Sequence, residues 1–264
     1  MSIVFEERGR TTRPPLPTER SILGVDVMPM TQEQAIAFLA ERIRAGRFTK
    51  IAFLNAHVAN LATADEAFRE TLGDFVVFPD GIGVDIASSV LHGRPFPANL
   101  NGTDFVPAFI AAQSVALRIG LIGTSRVNVE LAAAHLRAFA PQHEIVMVQD
   151  GFFTDADRPG ILARLEAVRP DILLVAMGVP RQERWIAEHL SERYCTLAFG
   201  VGALLDFMSG TIPRAPLQLR RLGLEWLFRL LVEPLRLWRR YIIGNPLFLM
   251  RVLGRRLASR GGSR

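Results

Sequence analysis

Cysteine is nearly absent from the sequence, since Cys195 is the single one among 264 residues. One thiol excludes an internal disulfide and a zinc site built from several thiolates, so we expect a reducing compartment. A secretory leader is also lacking, because residues 1–20 carry charges from the sixth position onward and contain no apolar segment. We expect these residues to form a loose arm.

Long apolar runs are missing as well. No stretch reaches the roughly 18 uninterrupted apolar residues that a membrane-spanning helix needs. We therefore expect a protein on the cytoplasmic side. With 49% hydrophobic residues, the chain can still bury a substantial core.

Charge is distributed unevenly. Residues 214–264 hold 12 arginines against Glu225 and Glu233, a net charge of +10, so the first 213 residues carry −5 of the total of +5. Basic segments bind nucleic acid, anionic lipid or phosphorylated ligands. We expect no nucleic acid here, because the arginines alternate with large aliphatic side chains rather than with aromatic rings suited to base stacking.

Short apolar runs rich in strand-forming residues alternate with stretches of helical period. The predicted strands are residues 22–27, 50–55, 75–78, 118–123, 144–148, 171–178 and 196–202. This alternation predicts an α/β fold, a Rossmann-like, largely parallel sheet with helices on both faces. We predict one α/β domain over residues 21–213 and a helical appendage over residues 214–264.

Ligands of such sheets bind beyond the carboxyl ends of the strands. The predicted loops at this edge contain Asn55, Asp80, Gly123 to Ser125, Gly178 to Gln182, and Gly200 to Gly202. We expect them to line one cleft. His57 also lies there, either as a general base or as a structural histidine.

Each of these loops has a second interpretation. Asp80, in FPDGIGVD, is either a reactive carboxylate on a glycine turn or the cap of the next helix. The turn at Gly123 either presents backbone N–H groups to a phosphate or is a plain turn capped by Thr124 or Ser125. Gln182 either hydrogen-bonds sugar hydroxyls or begins a solvated helix.

Asn99, Asn101 and Asp104 crowd around Gly102 in PFPANLNGTDFVPAF, where they could grip ligand hydroxyls, or Thr103 or Asp104 could instead cap the next helix. Neither GxGxxG nor a P-loop is present, so a dinucleotide or ATP is not indicated. The histidines have no HExxH spacing. We expect no metal and no cofactor.

The appendage carries an apolar stripe that contains Leu231, Leu235 and Trp238, with arginines opposite. Pro234 predicts two helices that meet there. The stripe either lies in an anionic membrane surface or packs on the body. Burial of the stripe away from lipid would favour a homo-oligomer.

Four segments, PDGIGV, AMGVPRQERW, FGVGALLDFMSGTIPRAP and LGLEWLFRLLVEPLRLWRRY, resemble the WecG/TagA/CpsF family of bacterial glycosyltransferases. The similarity runs from about residue 22 to 250. It implies an inverting enzyme, peripheral on the inner face of the plasma membrane. Such enzymes transfer a sugar from a UDP-sugar to an undecaprenyl-diphosphate-linked saccharide for surface polysaccharides.

The resemblance also implies roles for individual residues. Asp80 matches the proposed general base, and Gln182 and Asn55 match substrate-binding positions. The arginines that bind the donor diphosphate match Arg229, Arg236 and Arg239. Two positions depart from the family pattern: Phe53-Leu54-Asn55 replaces Thr-Pro-Asn, and Asn99 replaces an arginine.

These departures leave the donor open among N-acetylmannosamine, its uronic acid and glucose. Two other functions fit the same sequence. A nucleotide-sugar hydrolase would need no lipid acceptor, and a catalytically silent membrane-docking partner would not depend on Asp80.

Overall fold

The computed structural model describes residues 17–261, except for the side chains of Arg221 and of residues 260–261. Residues 1–16 of the predicted arm and residues 262–264 lie outside the described part, and Arg20 begins the first strand. The strands are β1 (Arg20–Ile22), β2 (Val25–Val27), β3 (Thr49–Leu54), β4 (Val76–Pro79), β5 (Arg118–Gly123), β6 (Glu144–Gln149), β7 (Ile172–Ala176) and β8 (Leu197–Gly200).

The helices alternate with the strands of the body and then continue through the appendage. They are α1 (Gln32–Arg44), α2 (Ala56–Ala64), α3 (Glu66–Gly73), α4 (Ile82–His92), α5 (Gly102–Ala111), α6 (Arg126–Phe139), α7 (Arg158–Val168), α8 (Arg181–His189), α9 (Leu204–Met208), α10 (Leu217–Arg221), α11 (Glu225–Val232), α12 (Pro234–Trp238) and α13 (Gly244–Gly261). A 3₁₀ turn spans Asp155–Asp157, and a π-helical turn spans Arg239–Ile243.

Six strands form one parallel sheet in the order β4-β3-β8-β7-β5-β6, which confirms the predicted α/β fold. From β3 the chain continues to β4, at one edge of the sheet. The strand β8 is instead reached from β7, its neighbour on the opposite side. The connections therefore diverge between β3 and β8, where such sheets form a crevice at their carboxyl edge.

Two hydrophobic layers cover the sheet, because successive strand residues face opposite sides. Ile51 and Phe53 of β3 belong to one layer, whereas Ala52 and Leu54 belong to the other. β7 is buried along its whole length, as expected of an interior parallel strand. The polar loops are thus confined to the strand ends.

The first predicted strand, residues 22–27, is wrong as a member of the main sheet. Leu23 and Gly24 adopt left-handed backbone conformations (φ 52° and 89°) and turn the chain into an antiparallel hairpin of β1 and β2. Arg20 anchors this hairpin to the body. Its guanidinium donates to Ser88 Oγ at 2.9 Å and to the Pro95 carbonyl at 2.7 Å.

The appendage is divided as the sequence predicts, because α11 ends at Val232 and Pro234 begins α12. Its last helix, α13, packs on α2 and α4 through the buried side chains of Phe248 and Val252. The apolar stripe does not pack on the body, since Leu231 and Leu235 are 73% and 92% exposed. Within residues 17–261, no helix is long and apolar enough to cross a membrane.

Candidate active site

A cleft of about 520 Å³ opens at the carboxyl edge of the sheet. Loops that follow β3, β4, β5, β7 and β8 all reach it. The residues of these loops that line it include Asn55, His57, Asp80, Thr124, Gly178, Gln182 and Gly202. The topology therefore brings together side chains that are far apart in sequence.

Asp80 does not cap a helix. Gly81 is the N-terminal cap of α4, with φ 89°, a conformation that favours glycine, and its N–H donates to Asn99 Oδ1 at 2.9 Å. Asp80 donates its own N–H to the carbonyl of Leu54 at 2.8 Å, which ties β4 to β3. The carboxylate is therefore free of local capping and points into the cleft.

Asn55 orients this carboxylate. Its Nδ2 donates to Asp80 Oδ2 at 2.9 Å, while its Oδ1 accepts from the N–H groups of His57 and Val58, both at 3.1 Å, and so caps α2. Both the nitrogen and the oxygen of the Asn55 amide therefore make hydrogen bonds. Through them, the first turn of α2 fixes the position of the Asp80 carboxylate.

His57 faces the same space from the first turn of α2. Burial, reinforced by the positive charge of Arg240, lowers the pKa of its imidazole to about 4. The ring is therefore neutral at physiological pH and can serve as a hydrogen-bond donor or acceptor rather than as a cation.

Gln182 and Glu183 lie beneath the cleft, 1% and 2% exposed. Gln182 Oε1 accepts from the N–H groups of Gly178 at 3.2 Å and Gly202 at 3.0 Å, and its Nε2 donates to Glu183 Oε1 at 2.7 Å. Three of the four hydrogen bonds available to this amide are therefore made within the protein. Gln182 joins two loops of the site, and one N–H remains for a ligand.

The Glu183 carboxyl is strongly perturbed. Burial raises its pKa to about 7, and its Oε2 has no hydrogen-bond partner among the described residues. The raised pKa favours a neutral carboxyl at the base of the cleft, which avoids a buried unpaired charge.

The turn after β5 is tightly constrained. Gly123 has φ 129°, and a Cβ there would lie 2.2 Å from the carbonyl oxygen of Ala176, so only glycine fits. Thr124 is held in a left-handed conformation and donates its hydroxyl to Asp206. Ser125, rather than Thr124, caps α6 by accepting from Asn128 N–H at 3.2 Å.

Asp206 is a further residue of the site that the predicted loops do not include. This carboxylate accepts from Thr124 and from Asn128 Nδ2 at 2.9 Å, and it lines the same cleft as Asp80. Its signal was the acid inside FGVGALLDFMSGT, one short turn beyond the last strand of the sheet. The strand-end rule did not reach it, because it lies on α9 rather than in a loop.

Asn101 and Asp104 both make hydrogen bonds within the protein. Asn101 caps α5 by accepting from Asp104 N–H at 2.9 Å. The Asp104 carboxylate accepts from Arg214 at 2.9 Å and from Arg220 at 2.8 Å. Asp104 therefore fastens the beginning of the appendage to the body.

The appendage places arginines over the cleft, although not the three that were expected. Arg229 and Arg236 line it, and Arg229 also stacks over the ring of Phe207 at 5.2 Å. Arg239 is exposed, lies over the ring of Trp238 at 5.2 Å and lines neither cavity. Arg240 lines the cleft in its place.

A second cavity, also about 520 Å³, lies between α4 and the appendage. It shares one wall with the first cleft. The shared residues are Asn55, His57, Asp80, Thr103, Arg229 and Arg240. Asp80 thus faces both spaces.

Residues 17–261 contain no group of three or more His, Cys, Asp or Glu side chains arranged to hold a metal ion. The charged groups near Asp80 include arginines of the appendage and also Glu225, whose pKa is raised mainly by burial. A fixed carboxylate facing several cations across an open cleft is suited to group transfer from an anionic substrate.

The comparisons with known proteins agree with this class. The sequence profile of the WecG/TagA/CpsF glycosyl transferase family matches residues 20–262, and the chain belongs to this family. It is a glycosyltransferase.

Among its relatives is a protein of Staphylococcus aureus strain NCTC 8325, an N-acetylglucosaminyldiphosphoundecaprenol N-acetyl-beta-D-mannosaminyltransferase. The two are 28% identical over 256 residues, which cover 95% of this chain and 96% of the relative. Proteins of the same name from S. aureus strains COL and MRSA252 show the same identity and coverage.

Proposed function

We propose that this enzyme transfers a sugar from a UDP-sugar to a saccharide carried on a lipid diphosphate, with inversion at the anomeric carbon. The names of the relatives support a lipid-diphosphate acceptor. The observation that carries the mechanism is the oriented carboxylate of Asp80, held by Asn55 on the wall shared by two cavities.

The reaction requires a base on the acceptor side. Asp80 takes the proton of an acceptor hydroxyl as that oxygen attacks C1 of the donor sugar from the face opposite UDP. The new C1–O bond forms while the bond from C1 to the UDP oxygen breaks, and UDP leaves with the electron pair. A single displacement of this kind inverts C1.

Negative charge that develops on the leaving diphosphate must be stabilised. Arg229, Arg236 and Arg240 supply three cations along the cleft. We expect transfer to persist in EDTA for this reason. Loss of activity in EDTA that manganese restores would contradict this part of the proposal.

The donor is proposed to be UDP-N-acetylmannosamine, the sugar named for the relatives. Phe53 is the reason to test other donor sugars as well. Its ring lines the cleft and packs against Gly102, where a Cβ would lie 2.9 Å from the ring. UDP-glucose and the UDP-linked uronic acid of N-acetylmannosamine are therefore the competing donors in the test.

The decisive experiment measures transfer from this donor panel to a short-chain lipid-diphosphate saccharide, for wild type, Asp80→Asn and Asp26→Asn. Asp80→Asn keeps a hydrogen-bond acceptor for Asn55 but cannot take a proton. We expect it to lower kcat by about 10²- to 10⁴-fold without loss of UDP binding. Asp26 is exposed on β2, so its variant controls for the loss of a charge.

Three outcomes would overturn the proposal. Donor consumption without an acceptor would indicate a nucleotide-sugar hydrolase. Binding to vesicles without turnover of any donor would indicate a silent docking partner. Full activity of Asp80→Asn would remove the base from the mechanism.

We also propose that the enzyme works as a peripheral protein on the inner membrane face. Leu231, Leu235 and Trp238 are exposed apolar side chains in a segment rich in arginines, a combination that suits the interface of an anionic bilayer. Leu235→Glu is expected to weaken sedimentation with anionic vesicles while leaving UDP binding intact. Unchanged sedimentation would place the membrane surface elsewhere.

A further inference from the structure

The second cavity has a chemistry different from that of the first. It is lined both by polar side chains, among them Asp80 and Asn101, and by apolar ones, among them Ile82, Ile86 and Ile242. We propose that this cavity is the acceptor site, in which the saccharide and its diphosphate lie beside Asp80 and the polyprenyl chain runs along the isoleucines. This inference rests on the proposed function and specifies its second substrate site.

The shared wall places an acceptor hydroxyl within reach of the base. Asp80 lines both cavities, and Asn55, which orients it, does the same. An acceptor in the second cavity and a donor in the first therefore meet at one carboxylate.

The second cavity contains arginines that can contact a diphosphate, together with the carboxyl groups of Asp80, Asp104 and Glu225. Arg220, Arg229 and Arg240 line it, and the Nε atom of each is buried without a hydrogen-bond partner among the described residues. Arg220 is partly neutralised by Asp104, whereas no carboxylate within salt-bridge distance is described for Arg229 or Arg240. A buried guanidinium donor without a partner is costly, and an anionic group offsets that cost.

The apolar walls match a prenyl chain. Ile82 and Ile86 lie one turn apart on α4, and Ile242 and Leu249 face the same space from the appendage. These four side chains remain substantially exposed, while Phe248 beneath them is fully buried. Exposed aliphatic groups beside a buried phenyl ring form a surface suited to an apolar occupant such as a prenyl chain.

The first measurement compares transfer by wild type, Ile86→Glu and Leu131→Glu. Leu131 is the matched control, since it is 48% exposed on α6, against 42% for Ile86 on α4, and lines neither cavity. Ile86→Glu should raise KM for a polyprenyl acceptor about tenfold, because a charge replaces an apolar contact with the chain. KM for the donor should stay within about twofold of wild type.

An acceptor analogue in which a methyl group replaces the prenyl chain sharpens this test. Its KM should respond equally to Ile86→Glu and Leu131→Glu, since it has no chain to contact Ile86. Equal KM values of the two variants for the full-length acceptor would overturn the proposed site.

A second measurement does not depend on turnover. Phosphatidylcholine vesicles that contain undecaprenyl diphosphate are compared with vesicles in which phosphatidylglycerol supplies the same charge. Wild type and Leu131→Glu should be retained better by the former, and Ile86→Glu should lose that preference. Absence of a preference in wild type would overturn the site, whereas a preference without sugar transfer would preserve the site and overturn the proposed function.

Discussion

The body and the appendage contribute to the site in different ways. Most polar groups of the body that form the site are already paired: Asn55 holds Asp80, and Gln182 bonds to two loops and to Glu183, although Glu183 Oε2 has no partner among the described residues. In the appendage, the Nε atoms of Arg229 and Arg240 are buried without partners among the described residues.

This difference indicates that the body orients the reacting groups, whereas the appendage supplies positive charge. The reactive geometry is fixed by the sheet before any substrate arrives, which lowers the reorganisation needed during reaction. The charge that receives the leaving group is attached to a separate segment, which Asp104 and α13 fasten to the body. Orientation and charge neutralisation can therefore be altered independently by substitution.

The largest effect expected within the appendage separates two neighbouring arginines. Arg240→Gln should reduce kcat/KM by about 10²- to 10³-fold, because it removes a fixed cation from the wall shared by both cavities. Arg239→Gln should retain most of the activity, since Arg239 stacks on Trp238 outside them. Steady-state kinetics of the pair provide the measurement, and the reverse order of effects would show that the family pattern outweighs this geometry.

A smaller effect concerns the body alone. Glu183 has its folded-state pKa raised from 4.5 to about 7, so the folded protein binds more protons than the unfolded chain between these values. This group's contribution to stability is complete below about pH 4.5 and is lost as the pH rises to about 7. Glu183→Gln, which cannot ionise, should therefore gain up to about 2 to 3 kcal/mol over wild type at pH 8.

Urea unfolding of Glu183→Gln and wild type at pH 5.5 and pH 8 measures this difference. The pKa of His57 is lowered from 6.5 to about 4, so its contribution rises with pH through that interval, opposite in sign to that of Glu183. The contribution of His57 is the same in wild type and in Glu183→Gln, so it cancels when the two proteins are compared. A constant difference between the two proteins at both pH values would contradict the assigned ionisation.

The smallest expected effect lies where the two regions join. Asp104→Asn weakens the contacts with Arg214 and Arg220, which are partly exposed and contribute about 0 to 1 kcal/mol each. We expect KM for the donor to rise only a few-fold. The effect should shrink in high salt, which screens the same pairs in wild type. Glu144→Gln, which breaks a surface pair with Arg118, is the control.

Much of the body could be predicted from sequence, because strand periodicity and strand-end loops are local signals. The six main strands and the loop positions of Asn55 and Asp80 follow from them. The hairpin at residues 20–27 could not be predicted, because the left-handed backbone conformation of Leu23 does not change the pattern of apolar residues. Arg239 was preferred to Arg240 because it matches the family pattern, which gives the order of residues but not which of two neighbouring side chains faces the cleft.

The position of Asp80 on a wall shared by two cavities has a kinetic consequence. Proton removal and sugar transfer on this assignment need both substrates bound at once, so the enzyme forms a ternary complex rather than a sugar-loaded intermediate. Reciprocal initial-rate plots should accordingly intersect instead of running parallel. Because UDP and the lengthened lipid lie in different cavities on this assignment, neither product has to be released before the other.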